Sequence, residues 1–256
     1  MENKEAREGY LIDFISGSEV KATPEEIEAV QVFSKILVED YGYPKSNIQT
    51  HPQYRVKVRP SDTKKEYPVD IAIFNSEEHN EDTISIIVEC KKKDRKDGIT
   101  QLQDYLRFSR AALGVWFNGE AQVFIRKFEH KGRVEFEEIP NIPKYGQRIE
   151  DIGKYKRKDL KPTHNLKPQF KAIRFYLAAN AVGVTRDEVI AQQIINLIFC
   201  KIYDEKFTNP EDEVSFRAGV DEDLTIIENR IKDLFIKVKD KYHEVFDKGD
   251  SISLDA

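Results

Sequence analysis

Cysteine is scarce in this chain, and the scarcity excludes two classes at once. Two thiols in 256 residues, Cys90 and Cys200, are too few for a disulfide framework or a cysteine-only zinc cluster. Both sit inside apolar runs, in different predicted domains, as expected of buried thiols in a reducing cytoplasm. The five histidines, at 51, 79, 130, 164 and 243, show no metal-ligand spacing. No apolar run approaches membrane-spanning length and no signal peptide opens the chain, so the expected location is cytoplasmic. A Walker phosphate loop is absent, which argues against ATP hydrolysis. Positive charge is not in excess either: 41 Lys and Arg against 46 Asp and Glu leave a net charge of −5, which excludes coating nucleic acid by electrostatics alone.

What is present is local and patterned. The run VDIAIF (69–74) is β-branched and apolar, as is SIIVEC (85–90), and the polar stretch between them has the composition of a hairpin loop. Paired symmetrically, the two runs set Asp70 opposite Glu89, within about 4.5–5.5 Å at Cβ. Side chains alternate along a strand, so Lys91 shares the face of Glu89 while Val88 and Cys90 point into apolar packing. One face then carries Asp, Glu and Lys. Hard divalent cations such as Mg²⁺ take oxygen ligands, and an adjacent ammonium can polarise water or phosphate. The same pattern also fits a plain edge hairpin in which Asp70 and Glu89 pair with Lys91.

The surroundings read as an α/β layer structure. TPEEIEAVQVFSKILVEDYGY (23–43) has Ile27, Val30, Phe33, Leu37 and Tyr41 at helical spacing, with Thr23 as N-cap and Pro24 in the first turn. In PQYRVKVRP, Tyr54, Val56 and Val58 alternate with Arg55, Lys57 and Arg59, which predicts a third strand with one wet, basic face. GITQLQDYL predicts a helix with Gln101 and Tyr105 on one flank at i, i+4. LGVWFNG and AQVFIRKF predict two more strands joined by a turn at Asn118-Gly119, with Trp116 and Phe117 as core aromatics. Lys92, Lys93, Arg95 and Lys96 follow Lys91 and form a patch suited to DNA phosphates. The domain reading is 1–145, a connector at 146–165 rich in Pro, Gly and charge, and an all-α region at 166–256. There Phe170, Ile173, Leu177 and Ala181 recur at helical spacing, Thr185 and Glu188 form a capping box, and Leu224, Ile227, Ile231, Leu234, Val238 and Val245 make a near-heptad stripe.

These motifs resemble the PD-(D/E)xK nuclease superfamily. Val69-Asp70 stands in the "PD" place, with Pro68 one residue early, and Glu89-Cys90-Lys91 is the ExK. Gln101 and Tyr105 match the Q-x-x-x-Y element of the branch holding RecB-like nucleases and the N-terminal domains of type I restriction subunits. The resemblance implies a restriction-endonuclease-like mixed sheet flanked by helices. It also implies Mg²⁺, for which Mn²⁺ can substitute, held by Asp70, Glu89 and the Cys90 carbonyl, with a further acid from the preceding helix. Glu28 is the expected acid and Glu26 the alternative. Lys91 would activate water, Gln101 and Tyr105 would support the site, and double-stranded DNA would be cut.

From about Asn165 onward, on the stretch GVTRDEVIAQQIINLIFCKIYDE, the chain is similar to the helical N-terminal region of adenine DNA methyltransferases of restriction-modification systems. That family's Gly-rich donor loop and Asn-Pro-Pro-aromatic motif are missing, and Asn209-Pro210 runs on into Glu211. The helices are therefore expected to be an assembly or relay element, at the front of a longer restriction enzyme with methyltransferase and specificity parts in cis or in trans. The rival expectation is a non-catalytic DNA-binding or assembly module; cleavage of RNA or modified DNA is a third.

Overall fold

The computed structural model describes residues 6–57, 66–160, 170, 173–174 and 187–253. It divides into two compact units, Met1–Gln147 and Arg148–Ala256.

The first unit is built on a six-stranded sheet. In chain order the strands are β1 (Tyr10–Ile12), β2 (Glu19–Lys21), β3 (Ile48–Gln49), β4 (Arg55–Lys57), β5 (Glu66–Pro68), β6 (Ile71–Phe74), β7 (Ile84–Cys90), β8 (Leu113–Phe117), β9 (Gln122–His130) and β10 (Arg133–Ile139). The main sheet runs β10-β9-β8-β7-β6-β3, and β1-β2 and β4-β5 are separate two-stranded ribbons. Only β7 and β8 pair parallel; the other neighbours are antiparallel, so the sheet is mixed. The parallel pair requires a crossover, and α2 (Ile99–Phe108) supplies it. Its Leu102, Tyr105 and Leu106 pack on Ala72, Phe74, Ile87 and Trp116. A Cβ on Gly114 of β8 would come within 2.7 Å of Leu106 Cδ1 and 3.1 Å of Leu102 Cδ1, so a residue without a side chain lets α2 lie close on the sheet.

Three expectations change. The Tyr54–Arg59 segment does not join the main sheet: β4 bonds to β5, and the edge beside β6 is taken by β3, through Ile48↔Ile73 and Gln49↔Ala72. Its wet face is real, with Arg55 and Lys57 exposed around buried Val56, while Val58 and Arg59 lie outside the described residues. The β8–β9 connection is a four-residue loop, with Asn118 N–H donating to the Ala121 carbonyl at 3.2 Å and Gly119 at φ +84°. A sixth strand, β10, follows a tight turn whose Lys131 and Gly132 both have positive φ, 51° and 74°, as a type I′ hairpin requires.

The N-terminal helix begins as a π turn, Glu26–Val30, and continues as α1, Gln31–Glu39. Thr23 Oγ1 accepts from Glu26 N–H at 3.1 Å, as an N-cap should. Ala29, Val30, Phe33 and Leu37 are buried, but Ile27 is 50% exposed. The wider π turn shifts the phase of the helix, so residues before it face differently from an unbroken 3.6-residue stripe.

Among its described residues the second unit has short 3₁₀ turns at Ile149–Asp151 and Arg157–Asp159 and two long helices, α3 (Asp187–Phe207) and α4 (Leu224–Lys241). Cys200, Ile231, Leu234, Phe235, Val238, Phe246 and Ile252 form its core. The apolar stripe is shorter than its spacing suggests: Leu224, at the helix start, is 68% exposed, and Val245, beyond the helix end, is 59% exposed. Thr185 of the expected capping box, Leu177 and Ala181 lie outside the described residues; Phe170 and Ile173 are helical. No helix among the described residues is long and apolar enough to cross a membrane.

Candidate active site

Sheet register brings the acid pair together. Ile71 pairs with Val88, so Asp70 and Glu89 stand one step further on, at the end of β6 and β7. Asp70 Oδ2 accepts from the Cys90 amide at 2.7 Å, which binds the carboxylate to the neighbouring strand. Gln53 Nε2 makes a long 3.4 Å contact to its other oxygen. Glu89 is 2% exposed and takes a direct bond from the Lys91 ammonium. Lys91 is itself fixed through its amide, which donates to the Phe117 carbonyl at 2.9 Å. The Cys90 side chain points away into the core, where burial raises its thiol pKa.

The electrostatics of this cluster are unresolved within the protein. Burial, then the Glu89 charge, push the Asp70 carboxyl up to about 7, against the Cys90 amide and Lys91. Burial also raises Glu89, with Lys91 opposing it. For Lys91, burial works against the charged form, but the bond to Glu89 and the charges of both carboxylates outweigh it and keep the ammonium protonated. Lys91 bonds Glu89 directly and reaches Asp70 only through its charge, and among the described residues no ion pair forms on Asp70. A simple ion-paired hairpin would not leave that remainder.

The acids of the first helix differ in what their charges reach. Glu28 is exposed, and it acts on Lys93. Glu25 is the helix residue whose charge bears on Asp70, Glu89 and Lys91 together. Glu26, the alternative, is occupied by Gln31 Nε2 at 2.8 Å and His51 Nε2 at 3.3 Å. The backbone of this stretch is a π turn, which a periodicity count does not register. Gln101, exposed at the start of α2, donates from Nε2 to the Tyr105 hydroxyl at 2.6 Å. Tyr105 is buried, and after burial itself the charges of Glu89 and Asp70 raise its phenol. Lys92, Lys93, Arg95 and Lys96 are all exposed, yet Lys93 pairs with Glu120 at 2.7 Å and Arg95 with Asp97.

A second polar cluster carries no recognisable sequence signal. Asp13, Glu26 and His51 hold potential ligand atoms within 4.8 Å of one another. Asp13 already accepts from Thr50 Oγ1 at 2.6 Å, Ser16 N–H at 2.7 Å and Gln31 Nε2 at 2.7 Å. Burial raises its pKa, and these bonds together bring it below the ordinary value. His51 is raised, chiefly by its bond to Glu26.

Residues 24–143 match the family described as type I restriction enzyme R protein N terminus (HSDR_N). The matched stretch runs from Pro24, just after the Thr23 cap of the first helix, past β10, and it holds Glu25, Asp70, Glu89, Lys91, Gln101 and Tyr105. It points to a restriction-modification role for this part of the chain. No protein of curated function matches the chain.

Proposed function

We propose that the first unit is a divalent-metal-dependent DNA phosphodiesterase, the nuclease part of a type I-like restriction enzyme. The observation that carries this is Asp70: a carboxyl at the end of a strand, raised to about 7 beside buried Glu89, with the neighbouring Lys91 ammonium already bonded to Glu89. A hard divalent cation is the counter-charge that such an oxygen set fits. Asp70 and Glu89 would hold it, with the Cys90 carbonyl completing the strand-borne ligands and Glu25 replacing Glu28 as the acid from the helix. Mg²⁺ is the expected ion and Mn²⁺ a substitute. Bound there, the cation would supply Lewis acidity toward phosphate and a water of lowered pKa.

The protein's own groups do the remaining work. Glu89 orients the Lys91 ammonium, which would donate to a non-bridging phosphate oxygen or the attacking water and stabilise the charge that develops. The Gln101–Tyr105 bond holds a second donor pair beside the carboxylates. Lys92 and Lys96, which pair with no carboxylate among the described residues, would grip duplex phosphates, with Lys93 and Arg95 exchanging Glu120 and Asp97 for DNA. The helical unit is assigned to assembly with methyltransferase and specificity parts.

One observation favours the non-catalytic alternative: the direct Lys91–Glu89 bond, which by itself is an ordinary buried ion pair. Calorimetric titration with Mn²⁺ and plasmid nicking decide between them. The nuclease reading expects both metal binding and nicking in the parent, and loss of both in Asp70→Ala. Metal-independent DNA binding with no Mn²⁺ uptake would leave a binding module.

A further inference from the structure

The loop between Lys91 and Gly98, residues 92–97, is exposed and crowded with cations, a composition that ordinarily leaves a backbone mobile. Here it is tied down from the end of β8. Trp116 Nε1 donates to the Asp97 carbonyl at 2.8 Å, and Asn118 Nδ2 donates to the Arg95 carbonyl at 3.0 Å. Asn118 is itself held, its Oδ1 accepting from the amides of Glu120 at 3.0 Å and Ala121 at 2.8 Å. Both side chains are buried, Trp116 at 4% and Asn118 at 5% exposure. That burial excludes Trp116 as a platform for stacking a base. It also makes its N–H dependent on the loop carbonyl, because a buried indole N–H without an acceptor is costly.

The same tryptophan is register partner to Glu89 across β7 and β8. Gly98 completes the contact. At φ +110° it adopts a backbone suited to glycine, and a Cβ there would lie 2.9 Å from Lys91 Cε, 3.2 Å from Trp116 Nε1 and 3.4 Å from Glu89 Cγ. Loop, lysine, glutamate and tryptophan thus share one packed junction.

We propose that Trp116 and Asn118 are positioning residues: they clamp loop 92–97 to the end of β8, so that its cations meet duplex phosphate at a set place relative to Asp70 and Glu89. This deepens the function proposed above and rests on it for the identity of the ligand. Neither residue touches phosphate or metal. Their effect is to fix the loop before DNA arrives, which spares the ordering cost that a loose loop would incur on binding.

The test uses the 256-residue chain with two changes at one position. Trp116→Phe removes the N–H and part of the ring; β-(3-benzothienyl)alanine at 116 keeps the bicyclic shape and replaces N–H with sulfur. Three quantities are read in each protein: amide exchange across 92–97, affinity for a fluorescein-labelled DNA duplex without metal, and Mn²⁺ binding. Both variants should exchange faster within 92–97 by roughly tenfold. Duplex affinity should weaken about five- to tenfold, while Mn²⁺ binding stays within about twofold of the parent because Asp70 and Glu89 are untouched.

Unchanged exchange and unchanged duplex affinity in the isostere would overturn the proposal. So would a rise in exchange spread across the whole sheet, which would mark Trp116 as core packing alone. A parent that binds no duplex overturns it as well. A parent that binds duplex but no Mn²⁺ would instead sink the metal-site reading, with the clamp still decided by exchange and affinity.

Discussion

Two clusters of acidic side chains sit in the first unit, and they are resolved in opposite ways. Around Asp13, three donors converge on one carboxylate and its pKa falls below the ordinary value. Around Asp70, two carboxylates adjoin, one lysine serves one of them, and the other is raised to about 7. Both clusters contain enough oxygen to interest a cation. The first commits three acceptor sites of Asp13 to the fold, whereas in the second the Lys91 ammonium bonds Glu89 and leaves Asp70 raised. A site for chemistry is recognised by that remainder and not by a count of acids.

The comparison is broken most sharply by substitution. Asp70→Asn should abolish Mn²⁺ binding and lower DNA nicking by roughly a thousandfold or more, since it removes a ligand charge that the transition state needs. Nicking at the parent rate would place the metal elsewhere. Lys91→Ala should lower kcat by roughly a hundredfold with the fold retained, as expected for loss of one donor to developing charge. A melting curve run alongside separates lost activity from lost structure.

Asp13→Ala should do the reverse. It leaves Thr50, Ser16 N–H and Gln31 short of an acceptor, so it should cost about 2–3 kcal/mol in urea unfolding while Mn²⁺ affinity holds. A variant that loses metal and keeps its stability would exchange the roles of the two clusters.

The pH dependence sharpens the contrast. Asp70 in the folded protein binds its proton up to about pH 7, far above an unfolded aspartate near 3.9. Between those values the folded state carries more protons, so without metal its stability falls as pH rises from about 4 to about 7, by up to about 4 kcal/mol. Glu89, also raised, acts in the same direction. Asp13, lowered, acts oppositely: its contribution is present above the unfolded value and lost in acid. Asp70→Asn should flatten the upper limb, and Mn²⁺ affinity in the parent should climb over the same range as the carboxyl gives up its proton. Thermal midpoints at pH 5 and 8 without metal read the first; calorimetry reads the second. Smallest of all, Tyr105→Phe should lower kcat only about three- to tenfold, because it removes one donor and leaves both carboxylates in place.

Much of this site was legible from local rules. Strand alternation and a symmetric hairpin are enough to set Asp70 against Glu89 and Lys91 on the face of Glu89, and i, i+4 spacing is enough to join Gln101 to Tyr105. The mixed sheet flanked by helices followed from the order of apolar runs. What escaped depended on distant parts of the chain or on irregular backbone. The backbone at Glu26–Val30 is a π turn in which Ile27 is 50% exposed, and no periodicity count registers it. The alternation of Tyr54–Arg59 marks a half-wet strand, and the described part, Arg55–Lys57, has that character, but its partner is a short strand ending in Pro68 and not the main sheet. The Lys131-Gly132 turn that launches β10 has a glycine but lacks the Asn-Gly pair that marks 118–119, so its sequence signal is weak. Asp13, Glu26 and His51 span 38 positions with nothing to join them until the fold does.

The most direct test of the difference between the two clusters is a Mn²⁺ titration by calorimetry at pH 7.5 on the parent, Asp70→Asn and Asp13→Ala. The account predicts that the parent and Asp13→Ala bind with the same stoichiometry and similar affinity, and that Asp70→Asn gives no binding heat. Binding that survives Asp70→Asn and disappears in Asp13→Ala would contradict it.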